Sequence, residues 1–99
     1  MKPPVLAAEL IDDRPSVSMR ALCRLCRVDA AWVSELVEEG VLQPSGEGPL
    51  NWRFDAHALR RARLARRLQR DFELNVTALA LVVDLIEEVQ RLRRVAGRW

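Results

Sequence analysis

Four times along this chain of 99 residues, a small polar residue sits between two apolar ones at the spacing of a helix start. Ser18 is flanked by Val17 and Leu22, Asp29 by Val28 and Val33, Asp55 by Phe54 and Leu59, and Asn75 by Leu74 and Leu79. The polar side chain accepts from orphan N–H groups of the first turn, while the apolar pair clamps the incoming backbone. The pattern predicts helices over 19–26, 30–39, 56–72 and 76–96. Gly40 stands where a left-handed residue should close the second of them.

Little chain is left for strands. Val41 and Leu42, and residues 50–54, are expected as two short strands across Pro44-Ser45-Gly46-Glu47-Gly48-Pro49, a wing-like hairpin. Residues 5–11 are expected to add an edge strand, with Pro15 separating it from the first helix. The fold class is therefore mainly α, a winged helix-turn-helix with a short β-hairpin wing and a C-terminal amphipathic helix. Ninety-nine residues make a single domain. It divides into an N-terminal strand or arm (1–17), helix-turn-helix plus wing (18–54), an Arg-rich helix (55–73) and the amphipathic helix (75–96).

The second helix occupies the place of a DNA-reading helix, yet it has the wrong charge. From Val28 to Trp52 the chain holds Asp29, Glu35, Glu38, Glu39 and Glu47, and no Lys or Arg. Affinity for duplex DNA comes largely from neutralising phosphates with basic side chains, so this stretch would repel it. Helical periodicity turns Val33, Leu36 and Val37 to the core, with Trp32 at the flank; Ala31, Ser34, Glu35 and Glu38 face away, with Glu39 beside them. Glu38 and Glu39 lie at the C-terminal end, where the helix dipole disfavours acids, so local helix stability does not account for them. A basic partner does. Asp29, Trp32, Glu35, Glu38 and Glu39 form the candidate partner-binding set.

The formal net charge of +2 conceals this segregation. The third helix places Arg60, Arg63, Arg66, Arg67 and Arg70 behind an apolar face of Leu64, Ala65, Leu68 and Phe72, with His57 and Arg61 falling among the apolar positions. On the fourth helix Asp84, Glu87 and Glu88 form a second acidic candidate, with Arg91 within reach of both glutamates at i+4 and i+3. Apolar residues cover about 200° of that helix, against the ~100° stripe needed to pack on one core. Val82, Leu85, Val89 and Leu92 fit heptad a and d positions. Together with Ile86 they are the expected homodimer interface.

Other classes lack parts. Cys23 and Cys26 form a C-x-x-C pair on the first helix, but a structural zinc site wants four ligands and His57 alone cannot complete one. A redox pair of this kind should follow a strand of a βαβ unit. Two small apolar residues one turn apart on a buried face suit cysteine well. No metal or other cofactor is expected. With one histidine, no Gly-rich phosphate loop and no nucleophile–base–orienter set, the chain does not read as an enzyme. No apolar run approaches the roughly 18 residues of a membrane span, and the N-terminus lacks a signal-peptide core. A cytoplasmic location is expected.

The order helix, turn, helix, wing, long helix, amphipathic helix resembles the MerR-like winged helix-turn-helix fold. The run EEGVLQP…NWRFDAHALRRARLARRLQRDFELNVTALALVVDLIEEVQRLRR resembles more closely the chaperone modulator CbpM family, over residues 21–94. The specific elements are Leu36, Gly40, Val41, Pro44, the Trp52-Arg53-Phe54-Asp55 junction, the Arg-rich helix and the Leu-rich last helix. The resemblance implies binding to the J-domain of a DnaJ-like (CbpA-type) co-chaperone and inhibition of its work with Hsp70. J-domains resemble one another in a basic second helix, which an acidic helical surface would complement, with Trp32 as an aromatic anchor. The alternative is a MerR-like DNA-binding transcriptional regulator, supported by Arg53 and the arginines of the third helix. Against it, the readout face has no Arg, Asn or Gln to pair with base edges, so DNA contact should be weak and nonspecific.

Overall fold

The computed structural model describes residues 9–11 and 14–97. Strands β1 (Glu9–Ile11) and β2 (Arg14–Ser18) lead into helices α1 (Met19–Cys26) and α2 (Ala30–Glu38). A 3-10 turn (Pro49–Asn51), strand β3 (Arg53–Asp55) and the long helices α3 (Ala56–Phe72) and α4 (Val76–Ala96) follow. All four helices begin where the capping pattern places them. The side chains of Ser18, Asp29, Asp55 and Asn75 accept from the backbone N–H of Ala21, Trp32, Ala58 and Ala78 at 2.8–3.1 Å. Gly40, at φ +80°, follows α2 and donates to the Val37 carbonyl. Arg27 and Glu73 take left-handed backbone without being glycine and close α1 and α3.

The strands depart from expectation. Val41 and Leu42 form no strand; both backbone N–H groups turn back to the Leu36 carbonyl, and both side chains are buried. The loop is pinched by one bridge between Ser45 and Arg53. A ladder cannot run further, because Pro44 and Pro49 lack N–H donors and Gly46 lies at φ +96°. A Cβ on Gly46 would meet the Asn51 carbonyl oxygen at 2.1 Å, so the loop folds only with glycine there.

The second arm of the expected hairpin instead pairs with the N-terminal strands in an antiparallel sheet of order β1-β2-β3. Val17 lies opposite Phe54, and Ser16 opposite Asp55. Pro15 does not separate strand from helix but sits inside β2 opposite Leu10, where β1 supplies the edge. Of the predicted edge strand, residues 9–11 are observed and residues 5–8 lie outside the described residues.

Leu22, Val33, Leu36, Val41, Leu42 and Phe54 fill the core with Leu79 and Val83 of α4. Helix α3 contributes mainly alanines: Ala58, Ala62 and Ala65 are buried, Leu64 and Leu68 half-buried. Small side chains let neighbouring backbones come close, so the buried face of α3 is shifted from the expected one. Phe72, placed on that face by periodicity, is 67% exposed because the helix runs past the end of the core.

Candidate functional site

Helix α2 is amphipathic as read. Val33 and Leu36 are fully buried and Val37 half-buried, which turns Ala31, Glu35, Glu38 and Glu39 outward, all exposed. Asp29 caps the helix through Oδ1, 2.8 Å from the Trp32 backbone nitrogen. Glu35, Glu38 and Glu39 make no ion pair with any described residue. Trp32 is half-buried against the core, and its Nε1–H is buried with no acceptor among the described residues. It braces the helix from the flank and lines a surface hollow beside Asp29.

The second acidic cluster has a different fate. Asp84 and Glu87 both bond the guanidinium of Arg61, Asp84 at 2.8 Å, and Glu87 also meets His57 Nε2 at 3.1 Å. Arg61 is 9% exposed, and its Nε donates to the Val41 carbonyl at 2.6 Å. The cluster thus fastens α4 to α3 and to the exit of α2. Arg61, which periodicity put among apolar residues, is a buried cation with one acceptor at each of its three nitrogens. His57, placed beside it by the same periodicity, is largely exposed at the rim.

Glu88 is bonded by Arg91, whose hydrogen bond holds the Glu88 carboxyl below its usual range. Glu87 turns away from Arg91 because Arg61 is closer to hand. The signal for Arg61 was in the sequence: an arginine on the apolar stripe of one helix, and acids at one-turn spacing on the next.

Cys23 and Cys26 are free thiols, half-buried and buried. Burial pushes both upward in pKa; the Asp29 carboxylate adds to the shift at Cys23, while Arg63 partly offsets it at Cys26. Protonated thiols are poor nucleophiles. Iodoacetamide at neutral pH is therefore expected to label the native protein far more slowly than the denatured one, with Cys26 last. The linked stability is full below the unfolded-state thiol pKa and is lost as pH rises through the higher folded value. Alkaline denaturation should therefore shift to higher pH when both are replaced by alanine or serine.

On α4 Leu79 and Val83 are buried, and Val82 and Ile86 half-buried. Leu85, Val89 and Leu92 are 54%, 40% and 44% exposed. Leu81 joins them on the same side, one turn before Leu85. No described helix is long and apolar enough to cross a membrane.

Short sheet, capped helix-turn-helix and trailing long helices define a MerR-type helix-turn-helix protein, and the family described as MerR HTH family regulatory protein matches residues 17–96. Chaperone modulatory protein CbpM of Pseudomonas entomophila (strain L48) is 43% identical over 77 residues, 78% of this chain and 76% of that protein. The protein of the same name from Pseudomonas putida (strain W619) is 42% identical over the same span. That from Coxiella burnetii (strain RSA 331 / Henzerling II) is 34% identical over 62 residues, 63% of this chain and 58% of its own length. The chain belongs to the CbpM family of chaperone modulatory proteins, a branch of the MerR-like fold.

Proposed function

We propose that this chain is a chaperone modulator that binds the J-domain of a DnaJ-like, CbpA-type co-chaperone and inhibits its work with Hsp70. It acts by covering the basic J-domain surface with the acidic face of α2. The family supports the chaperone role. The observation that carries the surface is the contrast between the two acidic clusters. Asp84, Glu87 and Glu88 are held by Arg61, His57 and Arg91, whereas Glu35, Glu38 and Glu39 project from the end of a capped helix with no cation partner among the described residues.

Unpaired charges on a preformed face steer a complementary partner and fix its register. Asp29, exposed at the helix start, and Trp32, half-buried at its flank, complete the proposed binding face with the three glutamates. The proposed location is the cytoplasm.

Replacing Glu35 and Glu38 together with lysine is expected to weaken binding to an isolated J-domain by about a hundredfold, taking each reversal as roughly 1.4 kcal/mol. The circular dichroism spectrum should not change, because both side chains are exposed. Binding by isothermal calorimetry that survives the double reversal would move the interface off α2. The second reading, DNA binding, draws on the exposed Arg60, Arg63, Arg67 and Arg70 of α3. With carboxylates on the readout helix, such contact is limited to salt-sensitive phosphate attraction.

A further inference from the structure

One flank of α1 carries charge opposite to that of α2. A cleft of about 1050 Å³ lies between α1 and the 3-10 turn, with Met19, Cys23, Val28 and Trp52 among its lining. It shares Cys23, Arg24 and Val28 with a second hollow of about 480 Å³, which continues to Arg66 and Gln69 of α3. The two form one groove along the exposed side of α1.

Arg20, Arg24, Arg27 and Arg66 rim this groove. None of the four side chains makes an ion pair or hydrogen bond with another described residue. The one acid along it among the described residues, Asp29, is occupied in capping α2. Leu50 stands at the lip, 99% exposed. Besides Arg53, which bonds Ser16, four cations surround a partly apolar trough with a bare leucine at one end, and none of the four has an acid partner among the described residues.

We propose that this groove is a second docking site, which takes an extended acidic peptide segment of a protein partner. Its carboxylates lie on Arg20, Arg24, Arg27 and Arg66, and its apolar side chains sit between Leu50 and Trp52. Charge complementarity selects an acidic occupant, and guanidinium groups bind carboxylates bidentately. The apolar lining and lip favour a peptide over a nucleic acid backbone, which offers phosphates but no aliphatic side chains. Duplex DNA is further opposed by the glutamates of neighbouring α2. This site does not depend on the reading of the α2 face, and one chain would hold a basic surface and an acidic segment at once.

The test is selection of a random peptide phage library on the immobilised full-length chain, near physiological salt. Peptides combining Asp or Glu with Leu, Phe or Trp are expected to be enriched. A synthetic copy of one, labelled for fluorescence anisotropy, should lose affinity by roughly tenfold or more in the Arg20→Glu/Arg24→Glu variant. It should bind the Glu35→Lys/Glu38→Lys variant as it binds the parent. Both arginines are exposed, so circular dichroism of the variant should match the parent.

The proposal falls if acidic peptides are not enriched, or if the arginine reversal leaves their binding intact. It falls equally if a single-stranded oligonucleotide displaces the peptide at that salt concentration, which hands the groove to nucleic acid. Self-association abolished by the same reversal would hand it to a second copy of the chain.

Discussion

Arg61→Met is expected to lower the unfolding free energy by about 2 kcal/mol, chiefly the penalty of leaving the buried Val41 carbonyl without its donor, since Asp84 and Glu87 can turn to solvent. Three acceptors lose their donor at once: Asp84, Glu87 and the carbonyl of Val41. The carbonyl matters most, since it lies in the buried exit of α2, beside Val41 and Leu42 of the core. Glu87→Gln should cost less, about 1 kcal/mol, because the amide oxygen still accepts from the guanidinium and Asp84 remains. The double variant should fall short of the sum, as expected for residues in one network. Thermal unfolding reads this directly, with roughly 4–8 °C per kcal/mol in a domain this small. A fall in Tm of only a degree or two for Arg61→Met would mean that the cluster contributes no more than a surface pair.

The second large effect concerns the apolar side of α4. Leu81, Leu85, Val89 and Leu92 lie exposed along about three turns of helix, and no described segment covers them. Val82 and Ile86, both half-buried, form the edge of this stripe. Homodimerisation through Val82, Leu85, Ile86, Val89 and Leu92 is the proposed use of the stripe, since a short chain gains most from burying such a face against a second copy.

Leu85→Glu combined with Leu92→Glu is expected to convert dimers to monomers in sedimentation equilibrium. Burying an unpaired carboxylate in an apolar interface costs several kcal/mol, or about a thousandfold or more in association. The helix itself should persist, because both positions are already open to solvent within one chain. Parent protein that sediments as a monomer at tens of micromolar, a concentration where ~10 μM dimers would form, would refute the dimer outright.

The sequence carried the helices almost residue for residue. Each start depends on one polar side chain within four positions of the backbone it caps, an interaction too local for tertiary context to override. The outward face of α2 was equally legible, because helical periodicity alone separates Val33 and Leu36 from Glu35 and Glu38. The sheet was not. Residues 53–55 pair with residues 16–18, nearly forty positions away, and nothing in a three-residue strand announces so distant a partner. The Pro/Gly loop between residues 41–42 and 50–54 suggested a hairpin that the prolines then prevented.

The fate of the charges divides along the same line. That Asp84, Glu87 and Glu88 are acidic, and near Arg91, is local information. That Asp84 and Glu87 turn to Arg61, 23 and 26 residues earlier, follows only once α3 and α4 pack side by side. The groove on α1 belongs to this second kind, joining residues of α1, α3 and the 3-10 turn. The sequence by itself determined where helices start, which faces they turn inward and where each sign of charge lies, because these depend on neighbours within a turn or two. The tertiary structure decided which of those charges cancel and which stay open to a partner, because cancellation depends on distances between elements remote along the chain.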